Sequence, residues 1–223
     1  LDTDLLQTST GVIFDFDGLL ADSEPFHFKA YNEMFERYGH SLNPEEYWVE
    51  FTSKGKGIAG EIERHNLKID ADPVEMRKQK FEIYARLCQS GEIKLFPGAV
   101  ELIERLSQKL PIAIASGSWT KDIRSILKGQ KAEHLFSIIL GKESAPKEKP
   151  HPDIFLEAAK EMDLKPEGCF VIEDALKGLA AAKAAGMKCV IIRNPLNQNI
   201  EFPEADLEFS DLNAFLNFVK QNI

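Results

Sequence analysis

The sequence predicts an α/β fold built on a parallel sheet and interrupted once by a helical insertion. Two observations predict it. Short apolar runs alternate with helical patterns, as in successive βαβ units. The alternation fails once, from Glu24 to about Glu92, where helical periodicity continues without a comparable strand run.

The first strand candidate is residues 11–18, Gly-Val-Ile-Phe-Asp-Phe-Asp-Gly. Its apolar run stops on Asp15 and Asp17. On a strand, residues i and i+2 share a face, so a continuing strand sets both carboxylates side by side at its carboxyl end. Ligands of open α/β sheets bind at that edge. Two carboxylates about 4 Å apart repel by roughly 4 kcal/mol at an effective dielectric near 20, so a cation is expected between them. The insertion follows, with helical patterns at Phe26–Tyr38, Gly60–Asn66 and Val74–Gln89. Pro97-Gly98 restarts the α/β rhythm. Ala99–Leu110 carries apolar residues at 99, 102, 103, 106 and 110. Further strands are expected at Ile112–Ser116, Ser137–Leu140, Cys169–Glu173, Cys189–Ile192 and Leu207–Phe209. Helices are expected at Asp153–Met162, which follows a proline, and at Leu176–Ala185, which ends at Gly186 in the position of a C′ glycine.

Composition narrows the classes. The chain has 223 residues, 43% hydrophobic and 28% charged, ordinary for a globular protein with a sizeable core. Its formal charge is −9, from 36 acidic and 27 basic residues. A general nucleic-acid binder leans basic, so no nucleic-acid partner is expected. Cys88, Cys169 and Cys189 are odd in number and lack CxxC spacing, which argues against a disulfide framework and for a reducing, cytoplasmic setting. No apolar run approaches a membrane span, and the first ten residues carry no signal-peptide pattern. A monomer without a membrane partner is expected.

Four polar features fall at or just beyond predicted strand ends: Asp15-Phe16-Asp17-Gly18, Ser116-Gly117-Ser118, Lys149-Pro150 and Glu173-Asp174. Each has a bland reading alone: a turn, a loop, a surface lysine, a helix cap. In a parallel sheet, however, all four share one edge. A hard divalent cation takes oxygen ligands, and Mg²⁺ uses one or two carboxylates plus water and substrate phosphate. The Cys and His ligands expected of zinc are not clustered here. A carboxylate can act as a covalent nucleophile, a second acid can move the protons, and a hydroxyl and a lysine can hold phosphoryl oxygens. The set suits phosphoryl transfer from an ester to a carboxylate.

These motifs resemble the haloacid dehalogenase (HAD) superfamily, in its branch of phosphatases and β-phosphoglucomutase-like proteins, over nearly the whole chain. Phe14-Asp15-Phe16-Asp17-Gly18 with Asp22-Ser23-Glu24 resembles the first motif, and Ser116 matches the second. Lys149-Pro150-His151-Pro152-Asp153-Ile154-Phe155 matches the third, with Glu148 in place of the usual glycine. Glu173-Asp174-Ala175-Leu176-Lys177-Gly178, running on to Gly186-Met187, resembles the fourth, with Ala175 replacing the usual serine. The resemblance implies a Rossmann-like three-layer core at 10–23 and 93–223 and an inserted α-helical cap domain at 24–92. It implies that Asp15 is nucleophile and metal ligand, and that Asp17 is the general acid/base whose carbonyl also reaches the metal. Ser116, with Gly117 beside it, would bind the phosphoryl group. Lys149 would orient Asp15 and offset charge. Asp174 would ligate Mg²⁺, with Glu173 a ligand or the partner behind one. An acid at position 17 disfavours a dehalogenase.

Cap residues are less distinctive. Gly55-Lys56-Gly57-Ile58-Ala59-Gly60 fits a dinucleotide fingerprint, and Tyr47–Thr52 before it has a faint strand pattern. Glu50 suits a buried parallel strand poorly, and no second strand supplies a ribose acid. A cap loop is the better reading, with Lys54 and Lys56 facing a substrate anion or simply solvated. His27 resembles a histidine found at the entry to the cap. Lys80 resembles a cap lysine that contacts the second phosphate in mutases, its alternative being an exposed helix lysine. Ser118-Trp119 lacks the lysine that follows the serine in mutases. The expectation is therefore a Mg²⁺-dependent phosphatase acting on a small phosphorylated metabolite such as a sugar phosphate, through an aspartyl-phosphate. The alternatives are a β-phosphoglucomutase-like phosphomutase and a non-catalytic metabolite-binding protein.

Overall fold

A computed structural model describes residues 4–53 and 56–223. Among them, six strands form one parallel sheet: β1 (Gly11–Phe14), β2 (Ile112–Ala115), β3 (Ile138–Leu140), β4 (Cys169–Glu173), β5 (Lys188–Ile192) and β6 (Leu207–Phe209). Their order is β3-β2-β1-β4-β5-β6, the doubly wound arrangement. Phe14 pairs with Ile114 on one side and with Ile172 on the other. Strand order reverses between β1 and β4, so the crevice of such a sheet opens at their carboxyl ends.

The runs form strands because both faces of the sheet are covered. Every residue of β1, β2 and β4 is buried, and such strands read as unbroken apolar runs. Ile13, Val171, Cys189 and Ile191 pack with Ile154, Phe155, Ala158 and Ala159 of the helix Asp153–Glu161 and with Leu179, Ala181 and Ala182 of the helix Leu176–Ala184. Val12, Phe14, Ile172 and Val190, which alternate with them, are equally buried. Helices thus flank the sheet in three layers.

The described residues divide into two compact units, Leu1–Asp22 with Lys94–Ile223, and Ser23–Ile93. The second is helical, with its long helices at Glu24–Glu36 and Pro73–Gln89 and a shorter one at Gly57–Arg64. The faint strand pattern at Tyr47–Thr52 does not become a strand: Tyr47–Ser53 is π-helical. Aromatic residues give the run its strand character, but their packing decides otherwise. The Tyr47 ring meets Phe28 at 5.1 Å and Phe51 meets Tyr31 at 4.6 Å. Gly57 and Gly60 lie in the following helix, so the dinucleotide reading loses its strand. Two helices absent from the sequence reading complete the sheet unit, Thr120–Gly129 and Leu212–Asn222. None of Cys88, Cys169 and Cys189 is in a disulfide. No described helix is long and apolar enough to cross a membrane.

Candidate active site

β1 ends at Phe14, one residue before the first aspartate. The Asp15 N–H still donates to the Ile172 carbonyl of β4 at 2.9 Å, so Asp15 keeps its place at the strand edge. Asp17 does not continue the strand. It opens a turn in which Gly18, at φ +77°, donates its N–H to the Ala21 carbonyl at 3.0 Å. Only glycine takes that backbone shape without strain. The expected side-by-side pair is thereby split toward different partners.

Asp15 Oδ1 accepts from Lys149 Nζ at 2.6 Å, and Lys149 also donates to Glu173 Oε1 at 2.8 Å. The other Glu173 oxygen, Oε2, accepts the N–H groups of Asp174 and Ala175 at 2.8 and 2.9 Å. Glu173 is 1% exposed, and both its oxygens are engaged in fixing Lys149 and the turn after β4. Asp17 Oδ2 accepts from Ser116 Oγ at 3.0 Å, and that oxygen in turn accepts the Ser118 N–H at 3.0 Å. Ser116 is fully buried at the end of β2, its own N–H on the Leu140 carbonyl of β3. Gly117 beside it is exposed, with open space where a Cβ would stand.

Asp174 is held by residues that sequence reasoning missed. Asn194 Nδ2 donates to Asp174 Oδ2 at 2.7 Å and to the Gly18 carbonyl at 3.0 Å. Asn197 Nδ2 donates to the Asp174 carbonyl at 2.8 Å and to the Ile192 carbonyl at 3.0 Å. The available signal was position: Asn194 lies just past the end of β5, a fifth strand end with a polar residue.

Electrostatics mark the same place. Burial, then the Glu173 carboxylate, and then Asp17 push the Asp15 carboxyl up to about 7, against the opposing pull of Lys149. Burial works against the Lys149 charge, but the carboxylates of Asp15 and Glu173 outweigh it and hold the ammonium above the usual lysine range. One lysine therefore leaves negative charge in excess. Carboxylate oxygens of Asp15, Glu173 and Asp174 approach within 4.8 Å of one another. An all-oxygen donor set with surplus negative charge and Lys149 alongside fits a hard divalent cation such as Mg²⁺.

The family model for haloacid dehalogenase-like hydrolases matches residues 12–192. The chain belongs to that family. Protein CbbY of Rhodobacter capsulatus is 31% identical over 91% of this chain and 93% of its own length. Fructose-1-phosphate phosphatase YqaB of Escherichia coli is 32% identical over 82% of this chain and 96% of its own. The crystal structure of a CbbY variant from Rhodobacter sphaeroides in complex with xylulose 1,5-bisphosphate superposes with a TM-score of 0.79 at 29% identity, covering 91% of this chain and 94% of that one. This HAD-like hydrolase is a phosphoric monoester hydrolase.

The remaining expected residues lie in the helical unit. Lys80 is 2% exposed, so it is not the surface lysine that its helix position allows. Its Nζ lies 2.8 Å from His27 Nδ1 and 4.6 Å from the centre of the Tyr84 ring, on which His27 stacks at 3.9 Å. A charged Lys80 donates to Nδ1 and so places the imidazole proton on Nε2. Lys56 is exposed and lies 3.3 Å from Glu50 Oε2, beside a groove of about 440 Å³ lined by Tyr31, Tyr47 and Arg77. Lys54 lies outside the described residues.

Proposed function

We propose that this hydrolase is a Mg²⁺-dependent phosphatase that cleaves a small phosphorylated sugar through an aspartyl-phosphate on Asp15. The observation that carries the reading is Lys149 Nζ bridging Asp15 Oδ1 and Glu173 Oε1 at 2.6 and 2.8 Å in a buried strand-end crevice. That bridge orients the Asp15 carboxylate and partly offsets the effect of burial on its charge. A carboxylate oxygen of Asp15 attacks phosphorus, the ester P–O bond breaks, and Asp17 gives its proton to the leaving oxygen. Water then attacks phosphorus and returns a proton to Asp17. The P–O bond to Asp15 breaks and phosphate leaves. Ser116 and the exposed backbone at Gly117 bind the phosphoryl oxygens.

Asp15, the Asp17 carbonyl and Asp174 would hold the metal, with Glu173 behind them on Lys149. When bound, the ion supplies positive charge against the phosphoryl oxygens. The helical unit is the inserted cap of this reading, and it carries His27, Lys56 and Lys80. The sugar-phosphate class is supported by relatives named for fructose 1-phosphate and crystallised with xylulose 1,5-bisphosphate.

The test is phosphate release from a panel of sugar monophosphates and bisphosphates, with Mg²⁺ and with chelator. Release that needs Mg²⁺ is expected, and the folded Asp15→Asn variant should show none. Full turnover in that variant would overturn the mechanism. Conversion of β-glucose 1-phosphate to glucose 6-phosphate without free phosphate would establish a mutase instead.

A further inference from the structure

The helical unit carries a second cluster of ionisable groups that phosphate chemistry does not use. His40 follows the helix Glu24–Glu36, and Glu46 ends the short helix Pro44–Glu46. Glu61 and His65 are four residues apart, on the helix Gly57–Arg64 and at its C-cap, and so share a face. Glu61 is 2% exposed. Its Oε1 lies 2.8 Å from His40 Nε2 and 3.5 Å from His65 Nε2, while His65 Nε2 lies 2.9 Å from Glu46 Oε2. Two imidazole nitrogens from separate segments thus converge on one buried carboxylate oxygen, with a second carboxylate beside them.

The surroundings orient these groups. The Arg64 guanidinium binds Glu61 Oε2, which turns Oε1 toward the imidazoles. The Phe35 ring meets His40 edge-on at 5.5 Å, and the His40 N–H donates to the Phe35 carbonyl at 3.2 Å.

We propose that His40, Glu61 and His65, with Glu46, form a binding site for a borderline transition-metal ion, with zinc as its ligand. Zinc bonds of about 2.0–2.1 Å in a tetrahedron place donor atoms about 3.3 Å apart. The His40–Glu61, His65–Glu46 and His65–Glu61 separations, 2.8, 2.9 and 3.5 Å, lie near that value, and donor atoms of His40, Glu61 and His65 all fall within 4.8 Å of one another. Imidazole donors suit Zn²⁺, Cu²⁺ and Ni²⁺, whereas Mg²⁺ takes oxygen. The cluster is therefore chemically distinct from the all-oxygen set at the sheet edge. On binding, each imidazole offers the Nε2 lone pair and carries its proton on Nδ1, so metal replaces the Nε2–carboxylate hydrogen bonds. Arg64 is the competing cation, since its Nε also lies 3.4 Å from Glu46 Oε2. Zinc takes over Glu46 and leaves Arg64 on Glu61 Oε2. The His65 side chain is 32% exposed, which leaves the ion a route in. The bound ion would tie the segment carrying His40 to the Gly57–Arg64 helix.

The experiment uses the full chain, stripped with chelator and returned to excess Mg²⁺ so that the oxygen site is filled. Zinc and cobalt(II) are then titrated separately. One zinc per chain is expected, with the visible absorption of tetrahedral cobalt(II) and a melting temperature that rises with free zinc. His40→Gln and His65→Gln should each weaken zinc binding at least about tenfold and leave Mg²⁺-dependent phosphate release unchanged. No tetrahedral cobalt spectrum in the unaltered protein, or zinc binding indifferent to both variants, overturns the proposal and leaves an Arg64-centred ion-pair network. The cobalt readout needs no variant and does not depend on phosphatase activity, so it decides the matter even where a variant fails to fold.

Discussion

Single atoms set the chemistry of the crevice. Gly178 shows how tightly: a Cβ there would stand 1.7 Å from Glu173 Oε1, the oxygen that holds Lys149. Gly178→Ala must therefore move Glu173 and release Lys149 from one of its two anions. The expected outcome is a loss of both kcat and melting temperature, measured by phosphate release and thermal unfolding. Asn194 acts from the other side, on Asp174. Asn194→Ala should raise the Mg²⁺ concentration needed for half-maximal activity by about 10- to 100-fold, the usual consequence of losing a group that orients a metal ligand. Calorimetric titration of Mg²⁺ checks it directly. The residues of the crevice were legible in the sequence to different degrees. Asp15, Ser116 and Glu173-Asp174 stand at the ends of apolar runs, where polar groups are conspicuous, whereas Lys149 lies in the polar loop beyond β3. Asn194 and Asn197 follow such a run too, but amides in a Pro-containing loop have an ordinary turn explanation. Only their contacts distinguish them.

At the scale of elements, the strands are legible because each is buried on both faces and so written as an unbroken apolar run. Helix Leu212–Asn222 carries its own signal, with Leu212, Phe215, Leu216 and Val219 buried at helical spacing. It begins at an N-cap, where Asp211 Oδ1 accepts the Ala214 N–H at 2.8 Å. Asp211→Ala should cost about 1 kcal/mol of stability, read from denaturant unfolding, with phosphatase activity retained. Helix Thr120–Gly129 is harder to read, because Trp119 at its N-cap makes no side-chain capping bond and only three of its residues are buried apolar ones. The π-helix Tyr47–Ser53 is hard to read for a third reason. Aromatic residues suit a strand locally, and their partners at Phe28 and Tyr31 are distant in sequence.

For the molecule as a whole, the crevice should make stability depend on pH and, through the proposed Mg²⁺ site, on metal. Asp15 titrates near 7 when folded, against a reference of 3.8. Between those values the folded, metal-free protein holds a proton that the unfolded chain has lost, so this group's contribution to stability falls as pH rises from about 4 to about 7. Lys149, held above the usual range, stays protonated throughout that window and adds no slope. Metal-free protein should thus melt at lower temperature at pH 7 than Asp15→Asn protein referenced to the same pH 5 starting point. If Mg²⁺ binds Asp15 as proposed, it competes with the Asp15 proton, and its stabilisation should be larger at pH 8 than at pH 5. Thermal unfolding across pH, with and without Mg²⁺, measures both effects.

The amino-acid sequence by itself determined the α/β class, the parallel sheet and the place of the polar groups at its edge. Those properties follow from local patterning: apolar runs bury on two faces, and polar residues collect where the runs stop. Tertiary structure alone decided how the charges pair. It sends Asp15 to Lys149 and Asp17 to Ser116, although the two aspartates are neighbours in the chain. It buries Lys80 against aromatic rings, and it brings His40 and Glu46 to the Glu61–His65 face of another helix. Each of these depends on distances between residues far apart in sequence, set by how helices and strands pack, and no local pattern encodes them.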